Sequence, residues 1–270
     1  MKRIPQEDFK PLLIEILKAL QIYCQDHGLE FILAGGTLIG AVRHHGFIPW
    51  DDDIDLWMRR DSFYKLTELA KTDPYIDEKK RYKVLPACEF PNTYPFIKVI
   101  DTTTVVYEKN IHKKYAIGLW IDVFLLSYWP DDDQEARRWY ELQQHYKNRN
   151  KIMIGGNYRV MKYRLMEPFA KPVRAFMNLL GQTSEYWCRK MIELSDHEPS
   201  GYVGNTSWPL NFKDRLPAEW YEEVTELPFE GQLYKVPKEY DKILTYIYGD
   251  YMTPPPEDKR ISHAIEGYYR

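Results

Sequence analysis

The stretch GGTLIGAVRHHGFIPWDDDIDLWM, residues 35–58, combines a glycine pair with four aspartates. Side chains alternate along a strand, so Asp53 and Asp55 share one face of a predicted strand DIDLWM, and Ile54 and Leu56 share the other. Two carboxylates this close resist joint ionisation unless a cation lies between them. Hard oxygen ligands select Mg²⁺ or Mn²⁺ rather than zinc. The aspartates therefore predict a divalent-metal site.

The glycine pair adds features that a phosphate requires. Gly35, Gly36 and Thr37 join a predicted strand, EFILAG, to a predicted helix, GTLIGAVRHH. Glycines allow close backbone approach, and a helix amino terminus offers free N–H groups and partial positive charge. Each motif also has a purely structural explanation: a turn for the glycines, a solvated loop or helix cap for the aspartates. Their close spacing favours a site for a nucleotide and a metal.

A third carboxylate is found in the apolar stretch LWIDVFLL, at Asp122. A charge buried in a strand is costly unless it is paired or bound to a metal. In a two-metal site, cations about 3.5–4 Å apart clamp the attacking and leaving oxygens. We therefore expect Asp53, Asp55 and Asp122 to be catalytic metal ligands, with an ion pair to Arg or Lys as the alternative for Asp122.

The run GGTLIGAVRHHGFIPWDDDIDLWM, with LPFEGQLYKVPKEYDKILTYIYGDYMTPPP and the later KRISH, resembles the LicD family of bacterial phosphocholine transferases, a wider group that includes fukutin-related proteins. The resemblance extends from Pro5 to His263. It implies an α+β fold of the nucleotidyltransferase type, like DNA polymerase beta, in which a mixed sheet is flanked by helices. The family pattern assigns the phosphate-binding turn to Gly35, Gly36 and Thr37, two metal ligands to Asp53 and Asp55, and a third to Asp122.

The resemblance also implies a reaction. The family moves phosphocholine from CDP-choline to a sugar hydroxyl of a cell-surface glycopolymer precursor, often a teichoic acid, and releases CMP. We expect dependence on two Mg²⁺ ions, or on Mn²⁺, and an acceptor carried on a polyprenyl lipid. The alternatives are transfer of another polyol phosphate or of a nucleotidyl group on the same fold. A catalytically silent binding module is disfavoured because all three carboxylates are present.

Several further residues could bind this donor. Arg43 and Lys98 are candidate cations for the diphosphate, although a strand lysine such as Lys98 is often an outward-facing surface residue. His263, in KRISH, is a candidate by resemblance alone, and a surface histidine is the alternative. A quaternary ammonium is best held by aromatic faces. Trp50, next to the aspartates, is the first choice for choline; the other candidates are Trp120, Trp129, Tyr158, Trp208, Trp220 and Tyr221.

The elements that must position these residues fall into two parts. Residues 1–128 contain a helix from Pro5 to His27, a helix RDSFYKLTELAK and strands that include YKVLP, FIKVID, TTTVVYE and LWIDVFLLS, which predicts a nucleotidyltransferase-like catalytic core. Residues 129–270 contain helices near 131–151, 159–180 and 183–196, a strand GQLYKVP, a helix KEYDKILTYIYGD and an irregular proline-rich tail. We expect this second part to pack on the core on the choline and acceptor side.

Composition excludes several classes of protein. The 270 residues carry a net charge of −3, without the basic excess of a dedicated nucleic-acid binder. The three cysteines are widely spaced, so we expect neither a disulfide framework nor a zinc site, and a reducing, cytoplasmic location. No signal peptide or membrane span is predicted.

One segment suggests contact with the surface of a membrane. The stretch RVMKYRLMEPFAKPVRAFMNLL, residues 159–180, combines five basic with many apolar residues, as in helices that lie on anionic bilayers. Its basic residues are Arg159, Lys162, Arg164, Lys171 and Arg174. Pro168 and Pro172 interrupt the pattern, and a helix packed inside the protein would explain the apolar face equally well.

Overall fold

The computed structural model describes residues 1–156, 161–260 and 266–270, without the side chains of 161–164. The helices are α1 Gln6–His27, α2 Gly35–His44, α3 Arg60–Thr72, α4 Asp133–Ile154, α5 Met161–Leu179, α6 Ser184–Leu194 and α7 Tyr240–Tyr248. The strands are β1 Lys2–Arg3, β2 Ile32–Leu33, β3 Asp55–Arg59, β4 Tyr82–Leu85, β5 Ile97–Tyr107, β6 Ile117–Trp129, β7 Tyr202–Asn205, β8 Leu216–Pro217, β9 Val224–Phe229, β10 Gln232–Pro237 and β11 Glu266–Tyr269. The predicted α+β class is confirmed.

One mixed sheet organises the molecule. Its main path runs β1-β11-β5-β6-β3-β2, with β4 added to β5 and β7 and β8 added beside β6. The β3–β6 pair is parallel, and the other pairs are antiparallel. Strands β7, β8 and β11 come from the second half of the chain. The two predicted parts therefore share a sheet, while the boundary near residue 129 stays a prediction.

The two faces of the sheet bury different sets of residues. Helices α1, α2 and α3 contribute apolar side chains to the main core, which includes Leu17, Leu38, Leu56 and Val123. The opposite face carries a smaller cluster in which Trp57 meets residues of β7, β8 and α7. Alternation along β3 and β6 produces this division, because successive side chains point to opposite faces.

Helix α1 shows why the predicted helices formed. Its buried residues Phe9, Leu13, Ile16 and Leu20 recur every three or four positions, and Gly28 ends the helix in a left-handed conformation with φ 61°. The three helices expected between residues 131 and 196 are also present, as α4, α5 and α6. None of the helices described is both long and apolar enough to span a bilayer.

Two strand predictions were wrong. FIKVID and TTTVVYE form one strand, β5, with a shift in register between Asp101 and Val106. The shift is held because the hydroxyls of Thr103 and Thr104 donate to Asp101, at 2.6 and 2.8 Å. The tail, which we expected to be irregular, ends in β11, whose residues pair with β5 and β1. That pairing partner is more than 150 positions away, so no local pattern announces it.

The expectation of unpaired cysteines was also wrong. Cys88 and Cys188 form a disulfide with a Cα–Cα distance of 5.3 Å, whereas Cys24 is free and buried. The bond joins the segment after β4 to α6, across 100 positions of sequence that spacing alone could not connect. It also removes the cysteine-based argument for a reducing compartment.

Reduction of this disulfide should lower the stability of the protein. In the chain-entropy account, a cross-link across about 100 residues restricts the unfolded chain and contributes up to ~4.7 kcal/mol. We expect dithiothreitol to lower the melting temperature of the parent and of Cys24→Ser by the same amount. The Cys88→Ser/Cys188→Ser variant should melt at the lower temperature with or without reductant, and a reductant shift that persisted in it would contradict the assignment.

Candidate functional site

Three charged side chains form a row across adjacent strands. Asp55 of β3 pairs in register with Asp122 of β6, and Asp122 pairs in register with Lys98 of β5. Register partners on neighbouring strands project from the same face of a sheet. The prediction that Asp55 and Asp122 belong to one site, although 67 positions apart in sequence, therefore agrees with the sheet register.

Lys98 is the fixed cation of this row. Its side chain is only 2% exposed, and its Nζ donates to Asp122 Oδ1 at 2.8 Å. The rings of Trp120, Tyr94 and Phe96 surround the ammonium, with centroids 4.1, 4.7 and 5.1 Å away. The surface alternative for Lys98 was therefore wrong. The ion-pair alternative for Asp122 is realised, with its partner on the neighbouring strand.

The glycine pair lies directly against the aspartates. Helix α2 begins at Gly35, whose φ is 49°. A Cβ on Gly35 would lie 3.2 Å from Asp55 Oδ2, and one on Gly36 would lie 2.6 Å from Asp51 Oδ2. A side chain at Gly36 would therefore push the Asp51 carboxylate away, whereas the left-handed φ of Gly35 itself favours glycine. The first turn of α2 thus meets the carboxylates closely enough for one ligand to contact both.

The hydroxyl of Thr37 has a structural partner. Its Oγ1 accepts the backbone N–H of Asp55 at 2.9 Å, and the side chain is buried. On the other side, Ala34 N–H donates to Asp55 O at 3.0 Å. The backbone of Asp55 is thereby held to both the strand before α2 and the helix itself. Thr37 orients the first residue of β3, and its own hydroxyl proton remains available as a donor.

A cavity of about 70 Å³ opens beside Asp55. Its walls include the rings of Trp57, Phe124, Trp208 and Tyr248, together with Gly35 and a second carboxylate, Asp214. Trp57 and Phe124 are register partners, each two positions beyond Asp55 and Asp122 on its own strand. Strand alternation could therefore have identified them. Asp214 and Tyr248 come from distant segments, and no sequence signal pointed to them.

Electrostatics distinguish the second carboxylate. Burial raises the pKa of Asp214 to about 6, although the backbone N–H groups of Leu210 and Asn211 donate to it and oppose the shift. Desolvation of its hydroxyl, followed by the charges of Asp214, Asp55 and Asp51, raises the pKa of Tyr248 above its ordinary range. Near neutral pH the cavity thus combines aromatic walls, a neutral phenol and carboxylates, a set suited to a cation.

Arg43 and Trp50 lie close to each other. Arg43, in the last turn of α2, lies under the ring of Trp50 with its guanidinium carbon 5.9 Å from the ring centroid, and Arg260 approaches the same ring at 4.7 Å. Arg43 also donates to the backbone oxygen of Tyr251. Burial lowers the pKa of Arg43. Eight residues of helix separate Arg43 from Gly35, or about 12 Å.

Other predicted residues have less defined positions. Asp53 is half-buried and precedes β3, which begins at Asp55 rather than at Asp53. Asp52 is buried, with a side chain 3% exposed. His263 and Tyr158 lie outside the described residues, as does Arg159. The roles assigned to these residues stay predictions.

The donor set fits a hard divalent cation. Over the described ranges, no three His, Cys, Asp or Glu side chains converge to form a complete metal cage. Asp55 and Asp122 are nevertheless neighbours in register, and Mg²⁺ is commonly held by one or two carboxylates plus substrate phosphates. Lys98 neutralises part of the charge at Asp122 but contacts only its Oδ1. The two carboxylates therefore match the number of protein ligands that such a magnesium site uses.

The amino-acid sequence of the chain is similar to sequences of known proteins. Residues 28–153 match the model described as LicD/FKTN/FKRP, nucleotidyltransferase domain, a range that contains the glycine pair, the aspartates and β6. Over this range, which is just under half of its length, the chain is similar to this family. The lipopolysaccharide cholinephosphotransferase LicD of Haemophilus influenzae is 24% identical over 275 aligned positions, covering all of this chain and 99% of that protein.

Two rickettsial proteins match shorter segments. An uncharacterised protein of Rickettsia prowazekii is 32% identical over 57 residues, 21% of each chain. An uncharacterised protein of Rickettsia typhi is 39% identical over 44 residues, covering 16% of this chain and 14% of that protein. The full-length match to the Haemophilus protein is therefore the more informative comparison.

Breaking the Lys98–Asp122 pair should destabilise the fold. Lys98→Met leaves a carboxylate without its buried partner, and Asp122→Asn leaves a buried ammonium, so we expect each to cost about 3 kcal/mol or more. The double variant should recover part of this loss because neither charge then remains. Urea unfolding measures these differences. Lys190→Met, which removes an exposed pair with Glu193, is the control and should not move the midpoint. Additive losses in the double variant would contradict the coupling.

Proposed function

We propose that this protein transfers phosphocholine from CDP-choline to a sugar hydroxyl of a cell-surface glycopolymer precursor and releases CMP. The observation that carries the proposal is the aromatic cavity directly beside Asp55. A phosphotransferase of this family needs phosphate and metal groups, which Gly35, Asp55 and Asp122 can provide. Discrimination among donors requires a second feature, and the cavity provides it. The full-length relative in Haemophilus is named as a cholinephosphotransferase, which supports the same choice.

The cavity suits choline for a physical reason. A quaternary ammonium donates no hydrogen bonds and is attracted to aromatic faces and negative charge. Trp57, Phe124 and Trp208 offer the faces, and Asp214 offers the charge. Trp208 was among the candidates from sequence, whereas Trp50 already lies between two guanidinium groups, those of Arg43 and Arg260. We therefore propose that the choline group binds in this cavity.

The donor's diphosphate fits the adjoining edge of the site. Backbone N–H groups in the first turn of α2, at Gly35 and Gly36, would bind phosphate oxygens. Asp55 and Asp122 would hold Mg²⁺, or Mn²⁺, with Asp53 as the third carboxylate for the second ion. When bound, such ions neutralise charge on the diphosphate and polarise it toward attack. Arg43 and His263 remain candidate cations for the nucleotide.

The acceptor hydroxyl must lose a proton as it attacks phosphorus. Where Asp53 and Asp55 hold the metal, Asp122 is the candidate acceptor of that proton, because it lies in register beside Asp55. Lys98 holds Asp122 through Oδ1 alone and therefore fixes the direction of the other oxygen. The bond from phosphorus to the CMP oxygen breaks as the bond to the sugar oxygen forms. We propose a teichoic acid precursor on a polyprenyl carrier as the acceptor, and a lipopolysaccharide oligosaccharide is the alternative to include in assays.

Asp55→Asn should abolish turnover and leave the fold intact. The substitution removes one of two facing carboxylates, so it relieves repulsion and should not lower the melting temperature. Loss of a metal ligand removes several kcal/mol of transition-state stabilisation, or at least ~10²-fold in rate. CMP release from CDP-choline measures this, with Asp26→Asn on the exposed face of α1 as control. EDTA should stop CMP release by the parent, and Mg²⁺ should restore it.

A panel of donors tests the transferred group. We expect CMP release from CDP-choline at a kcat/KM at least ~10-fold above that from CDP-glycerol and CDP-ribitol, because only choline is held by the aromatic faces. Preference for CDP-ribitol would favour polyol-phosphate transfer instead. Binding of every donor without release of CMP, with both candidate acceptors present, would indicate a binding module.

The pKa of Asp214 predicts a pH dependence. The raised value of about 6 means that the carboxyl is neutral below this pH and negative above it. Affinity for CDP-choline should therefore rise, by about 10-fold, as pH increases through 6. Asp214→Asn should bind CDP-choline weakly at every pH, and the parent's affinity for CDP-glycerol, whose glycerol group carries no charge, should stay level. An unchanged pH profile in Asp214→Asn would remove Asp214 from the choline site.

A further inference from the structure

Helix α5 exposes its apolar side. Seven large apolar side chains between positions 165 and 180 are between 44% and 82% exposed: Leu165, Met166, Phe169, Val173, Phe176, Leu179 and Leu180. At 3.6 residues per turn they fall within one sector about 140° wide. We call these seven residues the α5 stripe. Large contiguous patches of exposed apolar side chains on a soluble protein mark sites that contact other proteins or membranes.

Two charged residues of the same helix face the protein. Glu167 and Arg174 form an ion pair, with side chains only 23% and 14% exposed. Glu167 Oε2 and Arg174 Nη1 are buried without a hydrogen-bond partner in the part of the chain that is described. A helix on the surface of a water-soluble protein has the opposite orientation, with charges outward and apolar residues inward. Apart from Met177, which packs inward, α5 thus directs its large apolar side chains outward and an ion pair inward, which implies that its outer environment is apolar.

A basic cluster borders the α5 stripe. Lys109, Lys113 and Lys114, in the loop after β5, and Lys151, near the end of α4, are all exposed. The loop is attached to α4, since His112 N–H donates to Ile154 O at 2.9 Å. Asn110 and Ile111 of this loop line one cavity together with Lys151 and with Met166 of the stripe. Positive charge therefore lies next to the exposed apolar residues.

We propose that the α5 stripe and this basic cluster dock the protein on an anionic lipid bilayer. Apolar side chains would enter the boundary between headgroups and acyl chains, while the lysines meet lipid phosphates. The opposite charges of the cluster and of an anionic membrane favour lipid over a second copy of this chain. An isologous dimer through the stripe would bring two basic clusters together. Docking does not require that phosphocholine be the transferred group.

The cavity beneath the stripe shares a wall with the cavity beside Asp55. It has a volume of about 450 Å³ and apolar walls that include Ile152, Ala170 and Trp208. Trp208 also lines the cavity beside Asp55. An acceptor anchored in the bilayer would therefore reach the carboxylates from the side on which α5 lies. This is the approach that a lipid-linked acceptor needs.

Co-sedimentation with sucrose-loaded vesicles tests the proposal. At low salt, the parent should pellet with vesicles of equal parts phosphatidylglycerol and phosphatidylcholine, and less with phosphatidylcholine alone or at high salt. Phe169→Glu/Phe176→Glu should lower the bound fraction by at least ~10-fold, because two charges replace two inserted rings. Lys113→Ala/Lys114→Ala should lower it about 5-fold for each lysine that meets the surface.

The matched control is Ile22→Glu/Leu233→Glu. It also replaces two exposed apolar residues, 60% and 55% exposed, by glutamates, but on α1 and β10. This variant should pellet like the parent, and all variants should share the parent's melting temperature and its CMP release with a soluble acceptor. Failure of the parent to pellet with anionic vesicles, or an equal loss in the control, would overturn the proposal. So would a dimer, seen by light scattering, that dissociates in Phe169→Glu/Phe176→Glu.

Discussion

The site depends on the parallel pairing of β3 with β6. This pairing sets Asp55 beside Asp122 and leaves two carboxylates on one face of a sheet whose other face is the apolar core. Such a pair repels itself, and the buried ammonium of Lys98 relieves part of that repulsion through Asp122. A shift of one residue would turn Asp55 into the core and Leu56 outward, so the register is fixed by the same apolar residues that build the fold.

Much of the surrounding structure serves this register. Thr37 and Ala34 bind the two backbone polar groups of Asp55, which ties the start of β3 to the start of α2. The first turn of α2 can then approach the carboxylates because Gly35 and Gly36 carry no side chains. On the far side, Trp208 and Asp214, between β7 and β8, and Tyr248, the last residue of α7, close the cavity. The second half of the chain therefore completes a site whose charged row lies in the first half.

Local sequence patterns predicted the carboxylates and the glycine pair of the site, because these residues stand out within their own segments. Asp55 and Gly35 were identified because a carboxylate pair and a glycine pair are unusual between apolar segments, and Asp122 because it interrupts an apolar strand. Alternation along β3 and β6 would also have identified Trp57 and Phe124. Asp214 was missed because only the folding of residues 202–217 against β6 brings it near Asp55. The Cys88–Cys188 bond and β11 were missed for the same reason, since their partners are remote in sequence.

Two of the ion pairs among the described residues, one buried and one partly buried, have different consequences. Lys98 and Asp122 form a pair in which one carboxylate oxygen is bound while Asp122 lies in register beside Asp55, so burial orients a carboxylate of the candidate site. Glu167 and Arg174 face the protein beneath α5, away from the candidate site. Each has one buried polar atom without a hydrogen-bond partner among the described residues. Burial of that second pair costs free energy without orienting a reactive group. The cost is offset if the same orientation places Phe169 and Phe176 in lipid, because aromatic side chains then leave water. The inward-facing ion pair of α5 thus supports the same inference as its exposed apolar residues, namely that α5 contacts lipid.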